Sequence, residues 1–298
     1  MPIPKHDPIV VAPSPTPFCN DDSVDYSAIE CNVQRWLETP LSGFVLNSEN
    51  GEESFLSEQE QLEIVRTVKR VVGERKFIVG GVDSPSVTET LRKANTLVEA
   101  GAELIRIRIP RLTSNVSDYF EQVIPRADAP VVIIHQMSPG TFLSGPSAIG
   151  APAEVIGELV SMENVFGYIA SVDLRFECRV RTFVPSNKRF WIGNSSLLLP
   201  GVMLGANGAC MMLGNVAPHE CHEILRLGLD GSFVEAQAIQ SRVLELDWQI
   251  LARGAAGLKV ALNLLGFDAG VPRSPSAACD SDATEAIREA MSAAGLIN

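Results

Sequence analysis

Two arginines alternate with isoleucines in Ile105-Arg106-Ile107-Arg108-Ile109-Pro110. On an extended chain, residues two apart share a face, so both guanidinium groups look one way and the isoleucines the other. A planar fork of N–H donors suits a carboxylate or a phosphate. Arg108, nearer the end of the run, and Arg106 behind it are therefore candidate substrate-binding groups. Buried charges are costly unless paired. A structural ion pair with Glu103, Glu49 or Asp173 is the competing reading, and both hold if Arg106 is structural and Arg108 meets the ligand. A second polar stretch, Asn47-Ser48-Glu49-Asn50-Gly51-Glu52, follows the apolar Phe44-Val45-Leu46. Here Ser48 and Asn50 are candidate ligand contacts, and Glu49 is either a base or a salt-bridge partner. His135 ends the run Val131-Val132-Ile133-Ile134. Strict alternation turns it away from the face of Ile134, whereas looser parity at a strand end leaves it free for acid–base work. Asp173, Asn194 and Asn215 follow later apolar runs and complete the set of candidate substrate contacts; the two asparagines serve equally as caps of the next helix. Nothing in the spacing of Glu49, His135 and Asp173 resembles a metal-binding motif, so neither metal nor cofactor is expected.

These residues need elements to carry them. Short apolar runs predict eight strands, at Ile9–Ala12, Phe44–Leu46, Phe77–Val82, Leu104–Ile109, Val131–Ile134, Val165–Ile169, Phe190–Ile192 and Ala209–Leu213. Between them run helical patterns. Asp25 is placed to cap the first of these, and Ser57 with Glu60 forms a capping box that opens the second. Strands in series with helices between them predict a (β/α)₈ TIM barrel, with an open doubly wound sheet as the alternative. No GxGxxG follows any strand, and no Walker-type phosphate loop is present. In a barrel the outward strand face packs on helices and must be apolar, which aims Arg106 and Arg108 into the lumen. The chain after Pro218 reads as helices at Pro218–Leu227, Ser232–Arg253, Leu258–Leu265 and Asp282–Ala294. The expected division is a barrel over 1–221 and a helical extension over 222–298.

Composition narrows the function. A formal charge of −12 with a pI near 4.9 argues against nucleic acid and anionic membrane as partners. It leaves open a small anionic substrate, since a local arginine cluster can dominate a pocket. No apolar run reaches the ~18 residues of a membrane span, and the first residues lack the layout of a secretory or transit peptide. The six cysteines show no CxxC spacing and read as reduced thiols, Cys210 in the core, in a cytoplasmic protein.

Several short motifs, in order, carry a family resemblance. They are Thr16-Pro17-Phe18 after the first strand, Ser48-Glu49-Asn50-Gly51-Glu52 after the second, Gly193-Asn194-Ser195-Ser196-Leu197-Leu198-Leu199-Pro200 after the seventh, Gly205-Ala206-Asn207-Gly208 and Asn215-Val216-Ala217-Pro218 around the eighth, then Gly257-Leu258-Lys259 and Val271-Pro272-Arg273-Ser274-Pro275. Together they resemble the dihydrodipicolinate synthase and N-acetylneuraminate lyase superfamily, nearest to its 4-hydroxy-2-oxoglutarate aldolase branch. The resemblance implies a TIM barrel with a C-terminal extension, a homo-oligomer (tetramer or dimer), and a Schiff base between a strand-six lysine and a 2-keto acid. Where that lysine belongs, Asn164-Val165-Phe166-Gly167-Tyr168-Ile169 has Ile169. The family's strand-five tyrosine falls at Ile134. Its second tyrosine follows the strand-four proline, where this chain has Arg111-Leu112-Thr113, and the strand-two hydroxyl is replaced by Glu49. Glu52 matches the family glutamate and is expected to be structural. Lys5, Lys69, Lys76, Lys93, Lys188 and Lys259 all fall away from strand carboxyl ends. The implied function is a divergent enzyme acting on a small keto-acid-like carboxylate by proton transfer and carbon–carbon bond chemistry without an imine. The alternative is a non-catalytic ligand-binding or regulatory homologue.

Overall fold

The computed structural model describes residues 3–4, 6–110, 115–135, 151–171 and 174–298. Eight parallel strands close into a barrel in sequence order: β1 (Ile9–Pro13), β2 (Gly43–Leu46), β3 (Phe77–Val82), β4 (Leu104–Arg108), β5 (Val131–His135), β6 (Val165–Ala170), β7 (Arg189–Ile192) and β8 (Gly208–Cys210). Closure is made by β8 on β1, with Ile9 opposite Gly208 and Val11 opposite Cys210. The helices α1 (Tyr26–Leu37), α2 (Glu58–Val72), α3 (Val87–Glu99), α4 (Val116–Val123), α5 (Ala153–Ser161), α6 (Leu174–Phe183), α7 (Leu198–Met203) and α8 (Pro218–Leu229) surround it. Then come α9 (Phe233–Leu251), α10 (Gly254–Leu264) and α11 (Ser281–Ala293). This is the TIM barrel with C-terminal helices that the sequence predicts. None of the described helices is long and apolar enough to cross a membrane.

Strand alternation sorts the core into two shells. Val11, Val45, Val79, Leu104, Val132, Ile134, Ile169 and Trp191 fill the lumen, while Val10, Phe44, Ile78, Ile105, Ile107 and Ile133 pack under the helices. A bulge lies where β6 passes β5: Val131 pairs with Val165, but Val132 pairs with Gly167. The extra residue resets the alternation. Tyr168 therefore turns outward, where its hydroxyl donates to Glu177 on α6, and Ile169 turns inward. Strand eight is shorter than expected. It stops at Cys210, because β7 offers it only Trp191 and Ile192 to pair with, and Met212–Asn215 turns into a 3₁₀ helix.

Local chemistry places the helix starts. Asp25 accepts from the Ala28 amide at the start of α1. Ser57 and Glu60 form the reciprocal capping box of α2. Glu60 also reaches across to the C-terminal region, where both its oxygens take the guanidinium of Arg273, at 3.0 and 2.7 Å. That pairing, with help from Ser57 and against the cost of burial, holds its carboxyl at about 2. The lysines at the bottom of the barrel cap carbonyls: Lys76 reaches Thr39 and Leu41, and Lys188 reaches Met162 and Val165.

The loop after β2 is fastened to the C-terminal helices by a buried pair. Lys259 on α10 lies 2.5 Å from Glu52 and also donates to the Val271 carbonyl. Glu52 thus has the structural place expected of it. Removing one member of such a pair leaves the other charged and dry. Lys259→Met is expected to lose about 3–5 kcal/mol in urea unfolding, and the Glu52→Gln/Lys259→Met double variant to recover part of it. A depressed carboxyl contributes stability above its unfolded value and loses it as pH falls through the folded one. The Glu60–Arg273 tie is therefore expected to weaken between about pH 4.5 and 2, by on the order of 2–3 kcal/mol. Glu60→Gln should flatten that part of the stability profile.

Candidate active site

A cavity of about 520 Å³ opens at the carboxyl end of the barrel, the end where barrel enzymes work. Its lining draws on the loops after β2, β6, β7 and β8, the end of β4, and the C-terminal helices. Of the residues singled out from sequence, Ser48, Glu49, Asn50, Arg106, Arg108 and Asn194 all line it, and so does Ile134. Ile169 is fully buried among the lumen residues. Asp173 lies outside the described residues.

Both arginines point inward as alternation requires, but their partners differ from those expected. Arg108 donates to Glu53 at 3.0 Å and to Asp83 at 2.5 Å. Arg106, almost entirely buried, donates to the Asn47 carbonyl at 3.0 Å and lies 3.7 Å from Glu53. Glu103, a sequence candidate for this role, instead holds Lys69 and the Ile78 amide. The reason is its position. Glu103 precedes β4, at the bottom of the barrel, while the arginines rise toward the mouth. Only groups at strand carboxyl ends reach them, and Asp83 directly follows β3 while Glu53 sits in the loop after β2. Gly81 on β3 makes room for this arrangement. A Cβ there would collide with the Asn47 carbonyl and the Arg106 guanidinium. Burial pushes Glu53 up and its two arginines pull it down; burial likewise lowers Arg106, with Glu53 opposing.

His135 is on the far side of the wall. It is buried with its ring 5.3 Å from that of Phe176 on α6 and does not line the cavity. Alternation holds to the last residue of β5, because the outer helix layer supplies the apolar contact that keeps the ring outward. Asn215 is also taken up structurally. Its side-chain amide donates to the Pro13 and Met212 carbonyls, and its backbone carbonyl accepts from the Trp36 indole. It caps no helix, since the residue before α8 is Ala217. Asn194 does cap, accepting from the Ser196 amide at the turn Ser195–Leu197. Cys210 is in the core as expected, its thiol pushed up to about 12 by burial.

Three polar groups of the lining were not singled out from sequence: Ser171, Ser195 and Asp247. Ser171 follows β6. Asp247 comes from α9, where Leu251 also joins the lining. The Asp247 carboxylate accepts from the Ser196 hydroxyl at 2.5 Å. Burial pushes it above the usual aspartate value, with Ser196 and Ser195 opposing. A signal existed for it: Ala236, Gln240, Val243, Asp247 and Ile250 fall on the buried stripe of α9, so two polar residues occupy positions where apolar ones belong. The chain's three tyrosines, Tyr26, Tyr119 and Tyr168, are all outside the lining, and among the described residues no lysine lines it.

The closed barrel with a cavity at the strand carboxyl ends and a helical cover defines a class, the (β/α)₈ barrels whose site lies at the mouth. Comparison assigns the chain within it. The chain belongs to the dihydrodipicolinate synthetase family, whose model matches residues 7–294. It is 27% identical over 289 residues to a 4-hydroxy-tetrahydrodipicolinate synthase of Archaeoglobus fulgidus, covering 95% of this chain and 96% of that one. It is 29% identical over 298 residues to an uncharacterised DapA-like lyase of Halobacterium salinarum, covering 97% and 94%. The solved dihydrodipicolinate synthase of Cyanidioschyzon merolae with lysine bound shares the fold, with a TM-score of 0.88, 24% identity, and coverage of 98% and 100%.

With both outer nitrogens of Arg108 held by carboxylates, Arg108→Met strands Glu53 beside a single, more distant arginine. The expected cost is about 2–4 kcal/mol in urea unfolding, below the full penalty of a buried orphan because Arg106 remains. Glu53→Gln/Arg108→Met should restore most of it. A single variant as stable as the parent would contradict a structural pair.

Proposed function

We propose that this chain is a divergent lyase of its family, acting in the mouth cavity on a small keto-acid-like carboxylate without forming a Schiff base. The observation that carries the reading is Ile169: the inward side chain of β6 is an alkane, and an alkane offers no nucleophile. Ile134 and the absence of a tyrosine from the lining agree with it. The loop Ser48-Glu49-Asn50-Gly51-Glu52 favours the 4-hydroxy-2-oxoglutarate aldolase branch. In this reading the substrate carboxylate meets the N–H groups of Arg106 and Arg108, with Ser48, Asn50 and Asn194 around it. Glu49, exposed at the rim, takes a proton. We place the protein in the cytoplasm as a homo-oligomer. Exposed Leu244, Trp248 and Leu251, at positions i, i+4 and i+7 of α9, support a further contact surface.

One observation favours the non-catalytic alternative. Glu53 and Asp83 already neutralise Arg108, which weakens its pull on an anion. A ligand-binding homologue would tolerate that balance.

Borohydride separates imine from non-imine chemistry. Incubation with pyruvate or 4-hydroxy-2-oxoglutarate and borohydride is expected to leave the intact mass unchanged, while 4-hydroxy-2-oxoglutarate is cleaved. A reduced adduct on a lysine of the barrel mouth would restore Schiff-base chemistry and overturn the reading. Binding of either acid without turnover would leave the ligand-binding alternative.

A further inference from the structure

We propose that Asp247 is the proton-carrying group of the mouth cavity, a carboxylic acid that α9 sets against Ser195 and Ser196 to exchange a proton with an oxygen of the bound substrate. The proposal rests on the lyase reading above and adds to it a residue from the C-terminal helices.

Geometry comes first. Asp247 is 3% exposed yet lines the cavity. It stands on the buried stripe of α9, where an apolar side chain would pack at no polar cost. Gln240, one heptad earlier on that stripe, shows what a purely structural polar residue does there. Its amide donates to the Ser195 carbonyl and its oxygen accepts from the Leu199 amide, with no part in the lining. Asp247 accepts from the Ser196 hydroxyl, with Ser195 beside it, and reaches the cavity besides. A tie of that kind needs only an acceptor, and an asparagine would serve.

The surroundings favour a carboxyl able to hold its proton. Ser195 and Ser196 face it from the turn after β7, and Cys221 faces it from α8, with a thiol held neutral by its own burial. No cation figures among the causes that set its titration. Glu49, Arg106 and Arg108 share the cavity with it, the arginines already bound to carboxylates. Of the candidates read from sequence, His135 faces the outer helix layer, and Glu49, exposed at the rim, serves as the base that complements this acid. In its acid form a carboxyl can donate where a carboxylate only accepts.

The proton balance closes for cleavage of a 4-hydroxy-2-keto acid. Glu49 takes the hydroxyl proton, the carbon–carbon bond breaks toward the keto carbonyl, and its electron pair forms the enol double bond. The Asp247 O–H bond breaks, its electrons stay on the carboxylate, and the proton joins the enol oxygen. Ketonisation returns that proton to Asp247, while the proton on Glu49 goes to carbon, leaving both groups as they began.

The test uses the full chain, with Asp247→Asn to keep the tie to Ser196 and remove the acid. With 4-hydroxy-2-oxoglutarate as substrate, kcat is expected to fall at least about 100-fold, with KM changed less than about threefold and thermal stability kept. Parent kcat should decline as pH rises through the Asp247 titration, and that limb should vanish in Asp247→Asn. In parallel, aspartate-¹³C spectra, assigned by difference from the variant, are expected to show a carboxyl titrating above 3.8 and moving when pyruvate or 4-hydroxy-2-oxoglutarate is added. An Asp247→Asn enzyme with parent kcat overturns the proposal. So does a carboxyl resonance indifferent to both acids, which would mark Asp247 as a structural tie. Should the parent cleave nothing while its Asp247 resonance still responds to an acid, the lyase reading fails and the proton-exchanging carboxyl stands as part of a binding site.

Discussion

Glu52 and Glu53 are neighbours in sequence that must serve opposite sides of the molecule, and the mouth depends on how the chain lets them. Glu52 adopts a left-handed conformation, φ 56, between two 3₁₀ turns. Such a conformation costs a non-glycine residue roughly 1–2 kcal/mol. It turns the chain so that one carboxylate leaves toward Lys259 and the Arg273 amide, and the next enters the barrel toward Arg106 and Arg108. The buried pair on one side holds the C-terminal helices down. The pair on the other fixes the guanidinium groups. Ser48, Glu49 and Asn50 lie in the same short segment, so their placement follows from both anchors. A local strain is thus offset by contacts distant in sequence.

The arginines also illustrate how charge and hydrogen-bonding capacity part company. Two guanidinium groups with Glu53 and Asp83 make a nearly neutral cluster. What remains on the cavity wall is a set of N–H donors fixed in direction, with little net field. Fixed donors in a dry site stabilise developing negative charge without reorganising, whereas a net positive wall would attract any anion. The balance therefore favours recognition by geometry over attraction at long range.

What could be read from the sequence divides along physical lines. Strand order, barrel closure and the inward aim of Arg106 and Arg108 follow from a period of two and the need for an apolar outer face, both local rules. The same rule, taken strictly, places His135 outward, and the loosening allowed at a strand end did not occur because Phe176 packs on its ring. The ion-pair partners were hidden because a loop has no period. Nothing local separates the directions of Glu49, Glu52 and Glu53, although the height of a residue along its strand already excludes Glu103 from the mouth. Asp247 was hidden differently. Its stripe on α9 was visible, but which part of the barrel that stripe would cover depends on the clamp between Lys259 and Glu52, a contact spanning most of the chain.

That clamp has two chemical consequences through one cause, the partial burial of the mouth's polar groups. The cover supplied by α9 and α10 brings Asp247, Leu251, Gly254 and Ala255 over the mouth. Below it, Val45, Ile134 and Ile169 make an apolar floor. Between floor and cover, the effective dielectric falls, so the N–H donors of Arg106 and Arg108 gain strength. In the same medium a lone carboxylate loses stability, and Asp247 is driven toward its acid form. An amine at the place of Ile169 would bring a third nitrogen cation beside two guanidinium groups that already engage Glu53 and Asp83. Ile169 avoids that and keeps the floor apolar, so the polar groups of the mouth face a surface that cannot compete for their hydrogen bonds.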